Sequence, residues 1–207
     1  MEIAFINKTN KIMTIKHQIT KAIYPLIMWL SGLKSNASKI KVNAENKNPS
    51  TPLYYTNALL NNNETLLLSS LKGKKILLVN TASDCGFTGQ YAELEKLHQQ
   101  YKGKLVILGF PANDFKNQEM GSDADINSFC TLNYGVTFPI MKKTSVVKNA
   151  AQNEVFKWLT DSGKNGWNNQ QPVWNFSKYL VNEAGVLTHY FEPSVSPMSK
   201  EVLTAIG

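Results

Sequence analysis

The sequence predicts an α/β layered domain: a central mixed β-sheet flanked by helices, with a hairpin at its start. Two short, unbroken apolar runs, Ile76-Leu77-Leu78-Val79-Asn80 and Leu105-Val106-Ile107-Leu108-Gly109-Phe110, read as strands covered on both faces. Between them Tyr91, Leu94, Leu97 and Tyr101 recur at helical spacing, and Gly103 follows as a stop. Further on, 176–181 and 186–191 flank Asn182-Glu183-Ala184-Gly185 as an antiparallel hairpin. Together these give strand, helix, strand, helix and hairpin, which form a mixed sheet with helices packed against it.

The remaining elements follow in chain order. Leu53-Tyr54-Tyr55 and Thr65-Leu66-Leu67-Leu68 flank Asn61-Asn62-Asn63 as the opening hairpin. Ser122-Asp123-Ala124-Asp125 resembles a capping box opening a helix through Ile126, Phe129 and Cys130. Phe138-Pro139-Ile140-Met141 reads as a strand in which the proline must sit at the start or edge. Val155, Phe156 and Leu159 mark another helix, and Ser196-Pro197 is expected to cap the last one, with Val202, Leu203 and Ile206. There is no internal repeat.

A chain of 207 residues with 43% hydrophobic residues can bury a core without a disulfide framework. Its two cysteines, Cys85 and Cys130, are too few for a cystine-rich secreted fold. His17, His98 and His189 are scattered and no CxxC occurs, so neither a zinc site nor any other metal or cofactor is expected. All 22 basic residues are lysine, and the bidentate recognition of phosphate or carboxylate that arginine provides is absent. Residues 1–50 hold eight lysines against two glutamates, whereas residues 51–207 are nearly neutral. No basic face with interleaved aromatics is evident, and nucleic acid is excluded as a partner.

Residues 1–50 therefore read as a basic N-terminal extension and residues 51–207 as the folded domain. The apolar run from Ala22 to Leu33 contains Pro25 and is shorter than the roughly 20 residues that span a bilayer. Three readings stand. Residues 13–34 lie on an anionic membrane surface, with Tyr24 and Trp29 at the interface. Alternatively they form a signal peptide with small residues at Ser35-Asn36-Ala37, which would place the protein in the periplasm rather than the cytoplasm. Or they form an extension without a role. Residues 34–51, rich in Lys, Asn and Ser, are expected to be a linker.

Cys85 carries the chemistry. It arrives where a buried strand gives way, through a short loop, to a helix. Free N–H groups and the helix dipole there favour an anion, lowering the thiol pKa and yielding the nucleophilic thiolate. Gly86 permits close approach of a substrate. The ordinary alternative is an inert buried cysteine.

Three segments now carry a resemblance. Asn80-Thr81-Ala82-Ser83-Asp84-Cys85-Gly86-Phe87-Thr88 resembles the peroxidatic-cysteine signature of glutathione peroxidases, Gly109-Phe110-Pro111-Ala112-Asn113-Asp114-Phe115 their second signature, and Trp174-Asn175-Phe176 their third. The resemblance runs from about Leu53 to Ile206 and leaves out residues 1–50. It implies a thioredoxin-like fold and a catalytic tetrad of Cys85, Gln118, Trp174 and Asn175, in which two amides and an indole donate to the sulfur and favour thiolate. Taken singly, Trp174 reads as core, Gln118 as surface and Asn175 as a turn residue. Asn80 either supports the sulfur or ties its loop.

The implied cycle is attack of the Cys85 thiolate on a hydroperoxide, leaving a sulfenic acid and releasing alcohol or water. Asn127-Ser128-Phe129-Cys130 followed by Asn133-Tyr134-Gly135-Val136-Thr137-Phe138-Pro139 resembles the thioredoxin-dependent branch, so Cys130 is implied as the resolving thiol, its alternative being a buried helix cysteine. Their Cα atoms must come within about 7 Å to bond, and Gly121 and Gly135 are the expected hinges. An external dithiol then reduces the disulfide. Ala112 stands where the second signature usually has cysteine, and Cys85 where part of the family has selenocysteine, for which a slower attack is expected. The absence of arginine favours thioredoxin over glutathione as reductant. The short segment between Met141 and Val155 favours a monomer. The rival reading is a peroxide sensor passing its oxidation to a partner. A disulfide carrier is disfavoured by the missing CxxC, and a structural module by the complete tetrad.

Overall fold

In the computed structural model the two apolar runs are the paired centre of the sheet. β4 (Lys75–Thr81) lies parallel to β5 (Leu105–Pro111), with Val79 opposite Gly109. The structure describes residues 19, 22–26, 30 and 39–207. The other strands are β1 (Ile40–Val42), β6 (Lys178–Val181) and β7 (Leu187–Phe191), in spatial order β1-β7-β6-β4-β5. All pairings but β4–β5 are antiparallel, so the sheet is mixed as expected.

Alternation along β4 divides the core between the two faces of the sheet. Leu77 and Val79 pack with Tyr91, Leu94 and Leu97 of α1 (Gln90–Gln100), Ile126 and Cys130 of α2 (Asp123–Tyr134), and Val202 and Ile206 of α5 (Lys200–Ile206). Ile76 and Leu78 pack on the other face with Val155, Phe156 and Trp158 of α3 (Glu154–Leu159), which the one-turn α4 (Ser162–Asn165) follows.

Several boundaries differ from expectation for local reasons. Leu53–Tyr55 is a 3-10 turn rather than a strand, because the Thr56 N–H and hydroxyl both close on the Leu53 carbonyl, at 2.9 and 2.7 Å. The hairpin pairs β2 (Asn57–Leu59) with β3 (Thr65–Leu67). Phe138–Met141 makes only isolated bridges: Gly109 N–H donates to Pro139 O at 3.0 Å and Met141 N–H to Gly109 O at 2.8 Å. Pro139 has no N–H with which to extend that ladder. A Cβ at Gly109 would run into Ile140. Ser199, not Ser196-Pro197, caps α5; Ser196 Oγ instead donates to Glu93 at 2.7 Å.

The stretch expected to be a linker is fastened to the body. Ile40–Val42 forms the edge strand against β7, Asn43 Nδ2 donates to Leu187 O at 3.2 Å, and Ser50 N–H to Lys164 O at 3.0 Å. Among residues 19–30 the described positions are helical, with Ile19, Ile23, Leu26 and Leu30 exposed. Tyr24 is buried rather than interfacial, its ring lying where a Cβ on Gly89 would be. Trp29 and the Ser35–Ala37 segment lie outside the described residues. No described helix is long and apolar enough to cross a membrane.

The Cys130 helix has a defined stop and start. Ser122 Oγ accepts from Asp125 N–H at 3.2 Å while the Asp125 carboxylate accepts from Ser122 N–H at 3.2 Å, and Gly135 closes the other end in the left-handed conformation at φ 64°. Ser122→Ala should destabilise the protein by about 1 kcal/mol, measured as a lower urea midpoint at unchanged slope.

Candidate active site

β4 ends at Thr81, and the chain then turns through residues 82–89 before α1 begins at Gln90. Cys85 therefore sits in the turn ahead of the helix, five residues before its start. The local donor is a single amide: Phe87 N–H points at Cys85 Sγ at 3.4 Å. The turn is braced by Thr88 N–H on Cys85 O at 3.2 Å and Asp84 N–H on Gln118 O at 2.9 Å.

Trp174 and Asn175 face the sulfur from the loop before β6, and both side chains act on it as donors that favour the thiolate. Asn175 is fully buried, and its Nδ2 also donates to Gln118 Oε1 at 2.8 Å. An amide carries two N–H groups, so one bond holds the group while the other serves the sulfur. Gln118 thus acts by holding Asn175 and not, as expected, as a third donor to sulfur. Asn80 ties the loop: its Nδ2 donates to Trp174 O at 3.1 Å and its Oδ1 accepts from Ser177 N–H at 3.0 Å. Phe176 between them adopts φ 67°, a left-handed conformation costly for an aromatic residue, fixed by its N–H on Asn80 O at 2.6 Å. The Trp174 ring packs on Phe115 at 5.6 Å, and Lys116 Nζ lies 5.7 Å from its centroid. Nothing in the sequence brings Lys116 to the indole, because only the fold sets the two side by side.

The electrostatics also depart from expectation. Cys85 is 2% exposed, and burial pushes its thiol above the ordinary value. The Phe87 amide and the Asn175 and Trp174 side chains pull the other way, and Asp84 adds to the rise. Desolvation outweighs the donors. Gly86, the next residue, is exposed.

Cys130 is buried on α2 in the same core cluster as Cys85 and Tyr91, and both thiols are free. Burial pushes the Cys130 thiol up to about 12; the Tyr91 hydroxyl opposes this and Glu119 adds to it. Glu119 was missed by sequence reasoning: it looks like one more polar residue in Asn113-Asp114-Phe115-Lys116-Asn117-Gln118-Glu119, yet it is 1% exposed. Gly121 and Gly135 bracket α2 as anticipated. Among the described residues no cluster of three or more His, Cys, Asp or Glu is placed to hold a metal ion.

A family model described as glutathione peroxidase matches residues 53–160. The chain is 50% identical over 130 residues to the glutathione peroxidase-like peroxiredoxin GPX5 of Chlamydomonas reinhardtii, covering 62% of this chain and 79% of that protein. It is 42% identical over 149 residues to a glutathione peroxidase of Lactococcus lactis, covering 72% and 94%. The crystal structure of T. cruzi GPX1 superposes with a TM-score of 0.58 at 25% identity, over 76% of this chain and 97% of that one. The fold is the thioredoxin-like one anticipated, and the chain belongs to the glutathione peroxidase family, a family of peroxide-reducing oxidoreductases.

Proposed function

We propose that this peroxidase attacks hydroperoxides with Cys85, that Cys130 resolves the product, and that thioredoxin rather than glutathione recycles the disulfide. The observation that carries the reading is the convergence of Phe87 N–H, Trp174 and Asn175 on one sulfur. A buried thiolate without such donors would be expensive, whereas with them the anion forms in place and needs no cation. The thiolate attacks the terminal peroxide oxygen, the O–O bond breaks, and the departing alkoxide or hydroxide takes up a proton. Cys85 becomes a sulfenic acid. Condensation with the Cys130 thiol forms the S–S bond and releases water.

Because Cys130 is buried and capped at both ends of its helix, α2 opens for this step, with Gly121 and Gly135 as the hinges. Both cysteines belong to one chain, so a monomer suffices. The lack of arginine supports a protein dithiol that needs only an exposed disulfide, in preference to glutathione with its two carboxylates. The relatives are named as peroxidases and peroxiredoxins, which favours turnover over the sensor reading. Four apolar residues at Ile19, Ile23, Leu26 and Leu30, exposed at helical spacing, favour the membrane-surface reading of residues 13–34.

Peroxide consumption assayed with thioredoxin and then with glutathione tests the cycle. Cys85→Ser should abolish activity, whereas Cys130→Ser should lose thioredoxin-driven turnover yet still undergo one round of oxidation at Cys85. Full turnover without Cys130 would remove it from the cycle. Since the Cys85 pKa is raised and the thiolate is the nucleophile, the second-order rate of its oxidation by hydrogen peroxide should climb through pH 6–9 without a plateau; a plateau below pH 7 would contradict the burial effect. Asn175→Ala should slow that oxidation by about ten- to a hundredfold, read by stopped-flow fluorescence.

A further inference from the structure

One buried acid is not used by this cycle. Glu119 lies between the two sulfurs' surroundings. On one side its Oε2 accepts from Ser83 Oγ at 3.1 Å, two residues before Cys85, and its backbone N–H donates to Asn113 Oδ1 at 2.9 Å. On the other side its charge acts on Tyr91 of α1 and on Cys130 of α2. Its Oε1 is enclosed and has no hydrogen-bond partner among the described residues. The titratable groups facing it are Asp84 in the Cys85 turn, Lys143 after the Pro139 segment, Tyr91 and Cys130.

We propose that Glu119 accepts the proton of Cys130 when the resolving disulfide forms and hands it to the departing hydroxide. This rests on Cys130 being the resolving thiol. Two adjacent anions cannot share so dry a pocket, since each ionised group raises the other's pKa. Moving the proton from thiol to carboxylate shifts one negative charge without adding a second. Burial holds the carboxyl at about 7, with Ser83 and Lys143 lowering it and Asp84 raising it, so it gains and loses a proton near neutrality. While α2 is packed the Cys130 thiol lies far above this value and keeps its proton. Once α2 opens, the thiol is rehydrated and its proton becomes transferable on the way to Cys85, whose turn carries the Ser83 that already binds Glu119. The step balances: the Cys130 S–H proton goes to the Glu119 carboxylate, Cys130 sulfur bonds to Cys85 sulfur, the S–O bond of the sulfenic acid breaks, and the leaving hydroxide takes the proton back as water. Cys85 is reduced from sulfenic acid to disulfide as Cys130 is oxidised, and Glu119 ends as it began.

The test is a single turnover of the reduced full chain with hydrogen peroxide, quenched with acid, alkylated and read by mass spectrometry for sulfenic acid and for the Cys85–Cys130 disulfide at pH 6–8. The wild-type disulfide rate should rise with a midpoint near 7. Glu119→Gln should form sulfenic acid within about twofold of wild type but close the disulfide about ten- to a hundredfold more slowly at pH 8, without the inflection; Glu119→Asp should keep an inflection. A wild-type rate that is flat across this range, a Glu119→Gln closure with wild-type rate and midpoint, or equal slowing of both steps overturns the proposal. If Glu119→Gln does not fold, the wild-type and Glu119→Asp profiles decide it. Absence of any Cys85–Cys130 disulfide in wild type would sink the resolver assignment itself, whereas normal closure in Glu119→Gln would sink the role of Glu119 alone.

Discussion

The site depends on the bond from Asn175 Nδ2 to Gln118 Oε1, which joins two loops 57 residues apart in the chain. One loop follows β5 and the other precedes β6, and these strands lie on opposite sides of β4. Cys85 hangs from the end of β4 between them. The sheet thus fixes the three attachment points, and the Asn175–Gln118 bond fixes the donors across the gap. Asn80 repeats the same logic one step deeper, holding residues 174–177 to β4 from a fully buried position.

The arrangement separates readiness from resting charge. Burial keeps the resting thiol protonated more than an exposed one would be, while fixed donors wait at the place where charge develops. Preorganised dipoles in a dry site do not have to reorient during reaction. Lys178 follows a related rule away from the sulfur. Fully buried, it donates to Gln90 Oε1 at 2.9 Å and to Pro193 O at 3.2 Å, and burial draws its pKa down to about 7. It ties the start of α1 to the segment before α5.

Much of this was legible in the sequence because it is local. Unbroken apolar runs gave β4 and β5, periodicity gave α1, and Ser122 with Asp125 marked the start of α2. Candidate site residues could be named because three motifs occur together. What was not legible depends on partners distant in sequence. Ile40–Val42 looked like linker because only its pairing with β7 makes it a strand. Glu119 looked like one more polar loop residue because nothing nearby in sequence signals its burial. Gln118 was expected to donate to the sulfur, whereas its amide oxygen accepts from Asn175, a partner 57 residues away. The Cys85 pKa was misjudged because burial, unlike a neighbouring turn, cannot be read from adjacent residues.

The Pro139 segment has a consequence for how the molecule behaves among its own copies. It lies along β5, the outer strand, with one bond in each direction to Gly109, and is itself covered by the hairpin through Lys142 N–H on Leu59 O at 2.8 Å. An open strand of that apolar character would offer a template on which a second molecule could add a strand. Here the template is occupied by a short piece that a proline keeps from continuing, so this edge of the sheet is closed to self-templated growth.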